Sequence, residues 1–210
     1  MIKAVLFDMD GVLIDARDWH YEALNRALGL LGYEITRYEH LSAYDGLPTG
    51  RKLEMLSVEH GLPRELHGFL NGLKQQYTLE FVATRCKPVF QHQYMLARLA
   101  QAGYALGVAS NSVRRTVEEM MERSDLARYL DVMVSNQDVS RGKPDPEIYL
   151  KAMSMLDVAP EQCLIVEDNE NGIKAATASG AHVLVVEDPG DVNLERVTTR
   201  IAAVEGSVVA

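Results

Sequence analysis

A chain of 210 residues can hold one domain with a sizeable insert and a well-buried core. Its residues are 47% hydrophobic and 24% charged, with no low-complexity tract, so the class is globular rather than disordered or fibrous. A formal net charge of −9 argues against a nucleic-acid surface, and any anionic ligand must be met by local cations or a metal.

The first element is the apolar run Ala4–Phe7, about the length of a buried strand. It runs straight into Asp8, Asp10 and Gly11, which leaves MIKAVLF too short for a signal-peptide core. No transmembrane run follows, so a soluble cytoplasmic protein is expected. Cys86 and Cys163 lie far apart and in no metal-binding pattern; free thiols in a reducing cytosol fit better, although a disulfide stays open.

From Asp15 to about Cys86 no strand pattern occurs. Trp19–Leu31, Leu53–Val58 and Leu66–Phe81 carry apolar residues at helical spacing, punctuated by Gly32, Gly46-Leu47-Pro48 and Gly61-Leu62-Pro63. This predicts a helical insert over residues 16–86. The rest, 1–15 with 87–210, alternates helical patterns with the apolar runs Tyr104–Ala109, Val132–Ser135, Cys163–Val166 and His182–Val186, and closes on a helix over Val192–Val204. Such alternation predicts an open parallel sheet with helices on both faces.

Open α/β sheets bind ligands beyond the carboxyl ends of their strands. There the sequence sets Asp8 and Asp10, then Ser110-Asn111-Ser112, then Gly142-Lys143-Pro144-Asp145-Pro146, then Glu167 and Asp168. Each has a plain reading. Two acids can mark a strand-end turn; Ser110-Asn111-Ser112 can cap a helix at Val113. Lys143 can be a solvated loop lysine, and Asp145 can cap a helix whose first residue is Pro146. Asp168 or Asn169 can cap the helix Gly172–Ser179. Taken in order, each at a strand end, they favour a functional site of carboxylates, a hydroxyl and one lysine.

FDMDGVLID, SNS, GKPDP and EDNENGIKAATASG resemble the four ordered motifs of the haloacid dehalogenase superfamily. The helical insert after the first motif resembles its subgroup of β-phosphoglucomutase and sugar-phosphate phosphatases. The resemblance implies an α/β, Rossmann-like parallel-sheet core with an inserted all-helical cap domain. It implies a Mg²⁺-dependent phosphatase of a small phosphorylated metabolite, without nucleic-acid or membrane partners, as a monomer. Asp8 would be the nucleophile and Asp10 the general acid and base. Ser110, the Asn111 N–H and Lys143 would hold the phosphoryl group. Mg²⁺ would be bound by Asp8, the Asp10 carbonyl and Asp168, with Glu167 a direct or water-mediated ligand. Dehalogenase members lack the second aspartate, so Asp10 favours phosphorus chemistry.

In the insert, Trp19, His20, the loop DGLPTGR with Thr49 and Arg51, and Lys74 are the candidate substrate contacts. Trp19 also suits core or hinge packing, and Arg51 and Lys74 also suit solvated helix positions. A β-phosphoglucomutase-like activity is the rival reading. The hinge threonine of the mutases is Ala16 here, and the loop GLPTGR departs from their pattern. A receiver-type signalling domain also places Asp, Ser or Thr, and Lys at strand ends; the helical insert and Asp10 argue against it.

Overall fold

The computed structural model describes residues 1–44 and 46–207. Asp45, the first residue of the DGLPTGR loop, lies outside them, as do residues 208–210. The chain divides into two compact units, Met1–Asp15 with Cys86–Ala210, and Ala16–Arg85. Strand β1 (Ala4–Phe7) opens the first.

The second unit is helical, and among its described residues there is no strand. It comprises α1 (Arg17–Gly29), α2 (Arg37–Glu39) leading into a π-turn at His40–Tyr44, α3 (Thr49–His60), and α4 (His67–Arg85). Leu24, Ala27 and Leu28 recur at helical spacing and bury against Ile35, Tyr44, Leu53, Leu56, Leu62 and Leu70. Thr36 caps α2 through a reciprocal pair with Glu39, which satisfies two otherwise orphaned N–H groups. Helix α4 runs four residues past Phe81, where Arg85 forks onto Glu22 of α1 at 2.7 and 2.8 Å.

The first unit resumes with α5 (Phe90–Gln101), β2 (Ala105–Ala109), α6 (Arg114–Arg123) and β3 (Val132–Val134). It continues through α7 (Glu147–Met155), β4 (Cys163–Glu167), α8 (Glu170–Ala178), β5 (His182–Val185) and α9 (Leu194–Ser207). The strands form one sheet in the order β3-β2-β1-β4-β5, parallel at every junction, as the alternation of elements predicts. Central β1 pairs Ala4–Phe7 with Ala105–Val108 on one side and Cys163–Val166 on the other. Ala4 and Leu6 pack with Ile148, Tyr149 and Ala152 of α7 and Ala175 and Ala176 of α8, while Val5 and Phe7 are equally buried. A strand covered on both faces reads as a continuous apolar run, which is why β1 shows no polar alternation.

Four strand boundaries differ from the sequence reading: β2 begins at Ala105 rather than Tyr104, β5 ends at Val185 rather than Val186, and β3 and β4 differ at their ends. β3 stops at Val134 because the N–H of Ser135 turns to the carboxylate of Asp138, at 2.8 Å. β4 runs on to Glu167, whose carbonyl accepts the Val186 N–H at 2.9 Å. From β1 the strand order departs toward β2 on one side and β4 on the other, the switch point beyond which open α/β sheets bind their ligands.

Candidate active site

Asp8 is the first residue beyond β1. Its N–H continues the ladder to the Val166 carbonyl at 3.0 Å, and its side chain is buried at that sheet edge. Lys143, also buried, donates from Nζ to Asp8 Oδ1 and to Glu167 Oε1, the latter at 2.7 Å. It is therefore not the solvated loop lysine of the plain reading. Burying an ammonium is costly unless it is paired, and here two carboxylates pair it. Asn111 secures the backbone that carries it, accepting the Lys143 N–H at 2.9 Å and donating to the Lys143 carbonyl at 3.2 Å.

Glu167 lies wholly inside the protein. Its Oε1 also accepts the Tyr149 hydroxyl at 2.6 Å, and its Oε2 accepts the Asp168 N–H at 3.0 Å. The Lys143 ammonium lies 4.7 Å from the centre of the Tyr149 ring. Burial pushes the Asp8 carboxyl well above its ordinary 3.8; Lys143 pulls it back, and Glu167, Asp10 and Asp168 push it up again. Burial also works against the Lys143 ammonium, but Asp8 and Glu167 outweigh it and hold the group above its ordinary 10.5. One lysine thus stands among four acids.

Asp8, Glu167 and Asp168 offer carboxylate oxygens that all lie within 4.8 Å of one another. An all-oxygen set of this kind suits a hard divalent cation. Gly11 makes the cluster possible. Its φ of +91° is in the left-handed region, and a Cβ there would overlap the Asp168 carboxyl. Gly172 does the same for Glu167, whose carboxyl fills the space a side chain would take. The residues present fit a metal, with Glu167 engaged at both oxygens by protein donors.

Ser110 is buried at the end of β2, its N–H donating to the Val134 carbonyl at 3.0 Å. Its Oγ accepts the Ser112 N–H at 3.1 Å, and the Ser112 hydroxyl donates to Asp10 Oδ2 at 3.0 Å. The three residues do not cap a helix: α6 begins at Arg114, after Val113, and its first N–H donates to Gln137 Oε1 at 2.9 Å. Pro146 likewise precedes α7 rather than opening it, with Asp145 Oδ1 accepting the Glu147 N–H at 3.0 Å. Asn169, and not Asp168, caps α8, accepting the Gly172 N–H at 3.0 Å. Tyr149 and Ser112 were not selected from the sequence. Tyr149 resembles any core aromatic on a helix, and Ser112 any turn serine; the contacts that distinguish them join distant segments.

Within the helical unit, Lys74 is buried on α4, with Nζ 3.1 Å from His20 Nδ1 on α1. It is thus no solvated helix lysine. Trp19 and Thr49 are half-buried, and Arg51 is exposed on the first turn of α3.

The sequence pattern of the haloacid dehalogenase-like hydrolases matches residues 5–186. The chain belongs to that family. Among curated relatives of this hydrolase, a phosphorylated carbohydrates phosphatase of Thermotoga maritima is 32% identical over 179 residues, covering 85% of this chain and 82% of that one. Among solved structures, CbbY from Rhodobacter sphaeroides in complex with phosphate superposes with a TM-score of 0.80 at 25% identity, over 88% of this chain and 86% of that one. β-Phosphoglucomutase from Clostridium difficile superposes over the whole of both chains, with a TM-score of 0.83 at 20% identity, a likeness of fold. No helix among the described residues is long and apolar enough to cross a membrane.

Proposed function

We propose that this hydrolase is a Mg²⁺-dependent cytoplasmic phosphatase of a small phosphorylated metabolite, a sugar phosphate first among them. One observation carries the reading: Lys143 neutralises one oxygen of Asp8, while Asp10, two residues on, is held by a separate donor. A carboxylate nucleophile beside a distinct acid is what a double displacement at phosphorus needs. The family of the chain and the name of the Thermotoga relative support it.

In this reading Asp8 attacks phosphorus in line. As the Asp8–phosphorus bond forms and the ester bond breaks, a proton on Asp10 passes to the departing oxygen. Asp10 then takes a proton from the water that cleaves the aspartyl-phosphate. Such acid–base help is worth about 10²–10⁴ in rate. Lys143 screens the repulsion between Asp8 and the dianionic ester, and the Ser110 hydroxyl and Asn111 N–H bind phosphoryl oxygens. Mg²⁺ would be held by Asp8, the Asp10 carbonyl and Asp168, and would neutralise phosphoryl charge. Glu167 serves as the counter-ion of Lys143. The helical unit, with its His20–Lys74 pair, would supply substrate contacts.

The test is ³¹P NMR of the protein with Mg²⁺ and a panel of sugar phosphates, including β-glucose 1-phosphate with a trace of the 1,6-bisphosphate. Net inorganic phosphate is expected from the wild type and none from Asp8→Asn. Movement of the signal from the 1- to the 6-phosphate without release would replace this reading with a mutase.

A further inference from the structure

The Ser112 hydroxyl lies 3.0 Å from Asp10 Oδ2, a contact between residues 102 positions apart in sequence. Ser112 is itself fixed through its backbone. Its N–H donates to Ser110 Oγ at 3.1 Å, and its carbonyl accepts the Asn136 N–H at 3.1 Å. Neither of those bonds involves the side chain, so the hydroxyl has no part in building the turn. Its partner is Asp10.

We infer that Ser112 is a positioning residue for proton transfer, orienting the Asp10 carboxyl toward the departing oxygen of the phosphoester. The inference rests on the phosphatase reading and assigns a role to a residue outside its reacting groups. A carboxyl at the end of a turn rotates about its last bond. A donor on one oxygen fixes that rotation and hence the direction of the other oxygen. With Oδ2 accepting from Ser112, the proton that leaves Asp10 departs from Oδ1. The same hydrogen bond survives both half-reactions, because Oδ2 accepts whether Oδ1 carries the proton or has given it up. Ser110, whose Oγ anchors the Ser112 backbone, is a phosphoryl-binding residue in the same reading. The turn therefore couples where the phosphoryl group sits to where the proton is delivered.

A serine that merely supports the fold slows all substrates alike. One that aims a general acid matters in proportion to how much the leaving group needs a proton. The experiment compares kcat/KM for a series of substituted phenyl phosphates, from p-nitrophenyl to p-methoxyphenyl, with wild type, Ser112→Ala and Ser112→Thr. kcat/KM covers steps up to departure of the leaving group, so hydrolysis of the aspartyl-phosphate does not enter. For Ser112→Ala we expect a loss of about ten- to a hundredfold on the p-methoxyphenyl ester. On the p-nitrophenyl ester, whose anion leaves readily, little is expected. Ser112→Thr, which keeps the hydroxyl, is expected to restore the wild-type dependence. A uniform loss across the series, or none, overturns the inference and leaves the phosphatase reading intact. A wild type as silent as Asp8→Asn on every aryl ester and on the whole sugar-phosphate panel overturns the phosphatase reading itself.

Discussion

The hydroxyl of Tyr149 donates to Oε1 of Glu167 at 2.6 Å, and neither side chain reaches solvent. Burial first, and then the charge of Glu167, push the phenol well above its ordinary 10.0, so it stays a donor throughout the working range. Tyr149→Phe keeps the ring but leaves a buried carboxylate oxygen one donor short. A hydrogen bond to a charged group is worth about 1.5–3 kcal/mol. We expect urea unfolding at neutral pH to show a loss of about 2 kcal/mol. A loss below about 0.5 kcal/mol would mean that Lys143 alone satisfies Glu167 Oε1.

Lys143 and Arg85 both pair with acids, yet their removal has unlike consequences. Lys143 is buried against Asp8 and Glu167, and its loss leaves two carboxylates in the interior with their counter-charge gone. Lys143→Met is expected to cost about 3–5 kcal/mol and to abolish turnover. Arg85 and Glu22 are 40% and 41% exposed, where water already screens the pair. Arg85→Ala is expected to cost no more than about 1 kcal/mol. Chemical denaturation of both variants beside the wild type decides it; equal costs would contradict the assigned burial.

What was legible in the sequence follows from what is local. Ala4–Phe7 and Cys163–Val166 announce themselves as buried strands because both faces are covered and every position is apolar. Asp8, Lys143 and Asp168 were legible because each follows a strand end in a fixed order. The partner of Asp10 was not, since Ser112 meets it through sheet pairing across 102 positions, which no periodicity encodes. Tyr149 is a core aromatic, and nothing in the sequence marks the contact its hydroxyl makes. Of the two readings open for Lys74, the solvated one fails, because its stem is buried on α4 and its amine meets His20.

The crowding of Asp8, Glu167 and Asp168 makes a prediction for metal binding. Carboxylates this close repel one another, and a divalent cation relieves the repulsion in the folded state alone. Mg²⁺ at about a hundred times its dissociation constant should stabilise the wild type by about 2.7 kcal/mol, read as a rise in thermal midpoint that EDTA reverses. Asp168→Asn should shift that response to higher concentration. Gly11→Ala should do so too, because its new methyl group overlaps the Asp168 carboxyl. A midpoint indifferent to Mg²⁺ in the wild type would remove the metal from the site.

His92 gives the fold a pH dependence of its own, on α5 and apart from the acidic cluster. Its buried ring places Nε2 2.9 Å from the Pro189 carbonyl, to which it donates in the neutral tautomer. Burial depresses its pKa below the ordinary 6.5, and the Pro189 contact offsets this only partly. The unfolded chain therefore binds the proton first as pH falls. The contribution of the neutral ring is complete above 6.5 and is lost as the pH drops from there through the lower, folded-state value. Gln91, next to it, donates to the Gly190 and Val192 carbonyls, each at 2.9 Å, so the segment Pro189–Val192 shares this anchorage. Urea unfolding at a series of pH values should show stability declining below neutrality, with a shallower decline in His92→Gln, which does not titrate. Hydrogen exchange should show amides near Val192 opening first as the pH falls. Parallel profiles for the two proteins would assign the decline to other groups.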